Sequence, residues 1–176
     1  MPIQVLLRRY LHAHFKNMKK IFIASDHAGF ELKNILKSFL SNQNYEVEDC
    51  GPLVFDPHDD YPDYVLPCAQ KVAQNKDGFG VVVGLSGQGE AIAANRVPGV
   101  RASVYYGGPE EILTLSRQHN NANVLSLGAK FVTAEEAKDV VLLWLSTDFS
   151  ADERHVRRIQ KMDASVHNEG SHNRIT

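Results

Sequence analysis

Residues 79–96 read FGVVVGLSGQGEAIAANR, and this stretch decides the fold. An apolar β-branched run, Val81 to Val83, stops at a loop holding Gly84, Gly87 and Gly89, and an alanine-rich helical pattern follows at once. That order reads as a strand, a glycine loop and a helix N-terminus. Three things then meet at one place: backbone amides freed by glycine geometry, the positive end of a helix, and the side chains of Ser86 and Glu90. Such a place stabilises negative charge. A carboxylate beside it would repel a bound phosphate, so Glu90 suggests that the charge is made there by a reaction.

Outward from this stretch, strands alternate with helices. Residues 21–24 read as a short buried strand that breaks into a loop over 25–29, and Leu32, Ile35, Leu36, Phe39 and Leu40 then keep helical spacing. A weaker strand is expected over 45–48, then a polar loop with Pro52, Pro57 and Pro62, then a helix face of Val65, Cys68, Ala69 and Val72. Further strands are expected over 79–83, 101–105 and 123–127. Helices follow around Leu113, around Val140 and over 151–162. The economical architecture is one α/β domain with a parallel sheet and helices on both faces. In such sheets ligands bind beyond the carboxyl ends of the strands, where Asp26, His27, Ser86, Glu90 and Tyr106 all fall.

The 176 residues, formal charge of −2 and ordinary apolar content fit one globular core and give no basic signature for nucleic acid. No apolar run is long enough to cross a bilayer. Two cysteines, Cys50 and Cys68, have no metal-type spacing and read as reduced thiols of a cytoplasmic protein. Residues 1–17, which include Arg8, Arg9 and Lys16 and no acid, read as an extension outside the fold rather than a targeting peptide. The domain is expected over 18–163, and 164–176 reads as a polar tail.

Several groups could carry chemistry. Glu90 is either a helix-capping acid or a general base, and Ser86 either a loop serine or a hydroxyl aimed into the anion site. Asp26 and His27 share an edge with the glycine loop, although an aspartate there is also a common cap. His119 lies at a helix end, where it could simply complement the dipole, and Asn120 or Asn121 could be a helix cap. Arg154 and Arg158 are one helical turn apart on one face, a fork for a phosphate dianion or a solvated basic surface. Lys130, after the fifth strand, is a further candidate cation.

Five motifs occur in one order: DHAGFELK, YPDY, GLSGQGEAIAANRVPGVR, HNNANVLSLG and RHVRRI. In these the chain resembles the ribose-5-phosphate isomerase B and galactose-6-phosphate isomerase family, from Met18 to about Asp163. The resemblance implies a Rossmann-like three-layer sandwich with a five-stranded parallel sheet, a homodimer with sites between subunits, and aldose–ketose interconversion without metal or cofactor. It implies that Asp26 and His27 bind the sugar phosphate together with Tyr61. It implies further that His119 opens the sugar ring with Asn120 beside it, and that Arg154 and Arg158 hold phosphate. Lys130 stands where many members have arginine, a point charge in place of a fork. Many members carry a cysteine base at the position of Gly84. A second branch has S-G-x-G-E and uses the glutamate, and the S-G-Q-G-E of this chain resembles that branch. Leu85 replaces a usual glycine.

The expected reaction joins ribose 5-phosphate and ribulose 5-phosphate through an enediolate. Glu90 is the base, Ser86 polarises the carbonyl or relays a proton, the amides of the Ser86–Glu90 loop and the helix terminus meet the oxyanion, and Gly87, Gln88 and Gly89 bind the substrate. His119 and Asp26 open the ring. Rival readings are isomerisation of another sugar phosphate, a non-catalytic sugar-phosphate sensor, and a nucleotide-binding module. The last is disfavoured because Ile92 stands where a third glycine or alanine belongs. The resemblance is compatible with a further pairing of two such dimers into a tetramer.

Overall fold

The computed structural model describes residues 19–168, with side chains described through Ala164. The expected N-terminal extension over 1–17 and residues 169–176 of the expected tail lie outside the described residues. Five strands alternate with helices. They are β1 (Lys20–Ser25), β2 (Glu46–Asp49), β3 (Phe79–Gly84), β4 (Ala102–Tyr105) and β5 (Val124–Gly128). The helices are α1 (Phe30–Asn42), α2 (Pro62–Gln74), α3 (Gln88–Ala94), α4 (Glu111–Asn120), α5 (Ala134–Ser146) and α6 (Glu153–Asn168). The last helix therefore continues past Ala164, into the segment read from sequence as a loose tail. No glycine or proline interrupts it before Gly170.

All strands are parallel, in the order β2-β1-β3-β5-β4. The alternation of side chains along each strand divides the core. Ile21, Ile23, Val81, Val83, Leu125 and Leu127 face α1, α4 and α5, whereas Phe22, Ala24, Val82 and Val124 face α2 and α3. The central strands read as unbroken apolar runs because both of their faces are covered. Connections that step one way across the sheet use the first face and those that step back use the second, as right-handed crossovers require. Helix α6 packs against α4 outside this sandwich.

Candidate active site

β1 and β3 are neighbours whose chains leave the sheet in opposite directions, which opens a crevice between their carboxyl ends. Asp26 follows β1 directly, and Glu90 lies in the first turn of α3 after β3. The two walls meet closely. A Cβ on Gly29 would lie 2.2 Å from the Val83 carbonyl oxygen, so the loop after β1 can lie against the end of β3 only with glycine there. Asp26 is buried, and its Oδ1 accepts the Gly29 N–H at 3.0 Å, which closes that loop. The N-cap of α1 is Gly29, so Asp26 closes the loop before the helix and is not the helix cap.

Glu90 is 4% exposed and folds its carboxylate back over Gly84. Burial pushes its pKa up; its own backbone N–H opposes this, and the nearby Asp26 carboxylate adds to the rise. A carboxyl group in such surroundings is tuned toward the range in which a general base works.

The glycine loop is held open from beneath. Gly87 takes a left-handed φ of 76°, and its carbonyl accepts the buried Ser126 hydroxyl at 2.6 Å. The amide of Gln88 points at Ser86 Oγ, 3.4 Å away, and Ala91 N–H donates to the Gly87 carbonyl. The Ser86, Gly87 and Gly89 N–H groups meet no protein acceptor among the described residues. Because α3 has only seven residues, its dipole is short, and these amides are the stronger source of positive potential.

His27 borders the same crevice and is half-buried. Asp59 Oδ1 accepts both its backbone N–H at 3.0 Å and a bond with its Nδ1 at 2.7 Å. The bond to Asp59 is the main reason its pKa is raised, with Asp26 and Asp56 adding to the effect against partial burial. Its other ring nitrogen, Nε2, meets no protein partner among the described residues. Asp59 is the residue that sequence reasoning missed. The only signal was an acid-rich loop, and nothing in linear order tells which of its acids reaches a histidine 32 positions away. Tyr61 packs on the glycine loop: a Cβ on Gly89 would lie 3.0 Å from its Cζ and 3.2 Å from its hydroxyl. Lys130 joins this group, its N–H donating to the Leu85 carbonyl at 3.1 Å and its side chain exposed.

His119, Asn120, Arg154 and Arg158 form a second group elsewhere. Helix α4 leaves the carboxyl end of β4 and returns to the start of β5, so His119 and Asn120 lie at the amino edge of the sheet. The His119 ring stacks on His155, centroids 4.2 Å apart, at the start of α6. Arg154 Nε donates to His155 Nε2 at 3.2 Å, and Arg158 lies one turn further along. Arg157 turns to Glu153 instead, 3.9 Å away. With five residues in β5 at about 3.3 Å each, roughly 15 Å of sheet separates the two groups within one chain. Tyr106, also at the carboxyl edge, packs edge-on against Phe131 at 6.1 Å and is half exposed. Cys50 and Cys68 are free thiols, Cys68 buried in the core on the α2 and α3 side of the sheet with Cys50 packed against it.

Comparison with known proteins gives the family of this fold. Residues 21–162 match the Ribose/Galactose Isomerase family. The chain is 39% identical over 140 residues to ribose-5-phosphate isomerase B of Mycolicibacterium paratuberculosis, covering 80% of this chain and 87% of that one. The crystal structure of ribose-5-phosphate isomerase B from Mycoplasma genitalium with bound ribulose-5-phosphate superposes with a TM-score of 0.79 at 41% identity, over 84% of this chain and 95% of that one. The type B ribose 5-phosphate isomerase of Trypanosoma cruzi superposes with a TM-score of 0.80 at 34% identity, over 86% of this chain and 99% of that one. Carboxylate, glycine loop and sheet order thus occur in a chain that belongs to the ribose/galactose isomerase family.

Proposed function

We propose that the protein is an aldose–ketose isomerase that interconverts ribose 5-phosphate and ribulose 5-phosphate. The observation that carries this reading is the buried Glu90 carboxylate at the switch point of the sheet, beside amides free to meet an oxyanion. Glu90 removes the proton from carbon 2 of the open-chain aldose and returns it to carbon 1. The electron pair of the broken C–H bond moves into the C1–C2 double bond, and the charge settles on oxygen. The Ser86, Gly87 and Gly89 amides meet that oxygen, and one well-placed donor lowers the barrier by about 3–4 kcal/mol. Ser86 Oγ relays the proton between the two oxygens. Gln88 and Tyr61 line the loop around the sugar.

His119 opens the furanose ring, assisted by Asp26, and Asn120 orients it. Arg154 and Arg158 clamp the phosphate, with His27 and Lys130 completing the charge. These groups stand at the two ends of one chain, too far apart for a five-carbon sugar phosphate to touch both. The working site therefore joins the carboxyl edge of one copy to the amino edge of another, in a homodimer. The cytoplasm, where free thiols such as Cys50 and Cys68 persist, is its setting.

Purified protein titrated with ribose 5-phosphate should form ribulose 5-phosphate. Binding without turnover would leave only the sensor reading. Faster turnover of a hexose or tetrose phosphate in the same panel would move the assignment to that sugar. Leu85, half exposed at the rim of the loop, is the residue that would set such a preference.

A further inference from the structure

The mechanism above gives His155 no task, yet this polar residue is only 3% exposed at the start of α6. Its ring lies on His119 almost in parallel, 4.2 Å between centroids and 12° between planes. Its Nε2 lies 3.2 Å from Arg154 Nε. A guanidinium has no lone pair to offer, so Arg154 donates and His155 Nε2 accepts. The ring is therefore neutral, with its proton on Nδ1. One buried imidazole thus touches the ring-opening histidine with its face and a phosphate-binding arginine with its edge.

We propose that His155 is a positioning residue that holds Arg154 and His119 in one geometry, the first through Nε2 and the second through the stack. This rests on the roles given above to His119 and Arg154. The bond to Nε orients the guanidinium while its two terminal nitrogens stay available for a phosphate fork. The stack fixes the plane of the His119 ring, which decides where that ring presents a nitrogen to the sugar. Everything packed around His155 bears on its charge. Burial, His119, Arg154 and Arg158 all oppose a proton on it, and only Asp152, whose Oδ2 is 3.8 Å from Nε2, favours one. The neutral ring is the form that the surroundings select. On protonation Nε2 would lose its lone pair and turn from a support of Arg154 into a repelling neighbour.

Two substitutions separate the two contacts. His155→Phe keeps a flat ring against His119 and removes the acceptor. It should raise the KM for ribose 5-phosphate about tenfold with kcat within about twofold, as expected for losing one charge-assisted hydrogen bond. His155→Gln places an amide oxygen near the position of Nε2 and removes the stack, so KM should stay within about twofold while kcat falls about tenfold. Affinity for inorganic phosphate, measured by calorimetry, should fall in His155→Phe and hold in His155→Gln. That readout needs no turnover, so it remains decisive if the wild-type protein isomerises a different sugar or none. The ratio of wild-type to His155→Phe phosphate affinity should also shrink as pH falls below the ordinary histidine range, where His155 takes its proton and wild type loses the same bond. KM and kcat moving together in both variants, or a phosphate affinity ratio that is flat with pH, would overturn the proposal. If His155→Phe fails to fold, His155→Gln decides alone: a fall in kcat at unchanged KM supports the role, and parallel losses refute it.

Discussion

The Glu90 carboxylate occupies the space that any side chain on Gly84 would need. A Cβ on Gly84 would stand 1.9 Å from Oε1, 2.0 Å from Cδ and 2.4 Å from Oε2. Gly84 closes β3 with an ordinary strand backbone, so glycine is required there for room and not for a left-handed φ. The cysteine that many relatives are expected to carry at this position and the seated carboxylate of Glu90 exclude one another. Gly84→Ala should therefore fold, because the displaced group is the end of a flexible side chain, and still lose about 100-fold in kcat/KM by shifting the base about an ångström. Steady-state kinetics beside a thermal melt checks this; full activity in a folded variant would show that the carboxylate has no fixed seat.

Glu90→Gln keeps the shape and removes the proton acceptor. Turnover should fall by about a thousandfold or more while sugar phosphate still binds. In the wild type the base must be ionised, and its pKa is raised by burial, so kcat/KM should decline on the acid side above the ordinary carboxylate range. The stability sign is the reverse of a salt-bridged acid. A raised carboxyl pKa disfavours the charged form in the fold, so Glu90→Gln should melt higher than wild type at neutral pH. The gain should vanish below the unfolded carboxylate range. An unchanged melting temperature across pH would contradict the desolvation.

Asp59→Asn tests the support of His27. Asp59 raises the pKa of His27, so the charged ring, and the phosphate affinity it brings, is present at low pH and is lost as pH rises through the raised value. In the variant that loss should begin at lower pH, seen as a KM that climbs earlier in a pH series. A KM–pH curve superimposable on wild type would mean that His27 meets the anion without help from Asp59.

If the working site is shared between two copies, inactive variants should repair one another. Glu90→Gln protein mixed with His119→Ala protein, unfolded and refolded together, should recover a substantial fraction of activity. Each mixed dimer would hold one site with neither lesion. No recovery, with dimers demonstrated by light scattering, would return both residues to a single chain.

The loop that carries Asp59 and Tyr61 is anchored at its start by a buried ion pair. Lys33, 0% exposed, donates from Nζ to Asp49 Oδ1 at 2.8 Å and to the Pro52 carbonyl at 2.6 Å. Burial alone would raise the Asp49 pKa, but Lys33, Lys37 and the Gly51 N–H together outweigh it and hold the carboxyl below its ordinary range. Asp49→Ala leaves a buried ammonium uncompensated and should cost about 3–5 kcal/mol in chemical denaturation. The stabilisation is present above the unfolded carboxylate pKa and is lost as pH falls through the depressed folded value, so the gap between variant and wild type should close in acid.

Sequence alone determined the alternation of strands and helices and the parallel sheet. Period, β-branched runs and glycine loops are local properties, and a right-handed crossover turns them into a layer order. Glu90 was legible for the same reason, because strand, loop and acid are contiguous. Residues 164–168 were misread as tail, since polar residues without helical periodicity resemble a loop when no breaker marks the true end. Only the tertiary structure decided that Asp59 supports His27, that Gly84 makes room for Glu90, and that His155 lies between His119 and Arg154. It also decided that Glu90 and His119 lie at opposite edges of the sheet within one chain. These relations join residues distant along the chain, and packing, not local pattern, brings them together.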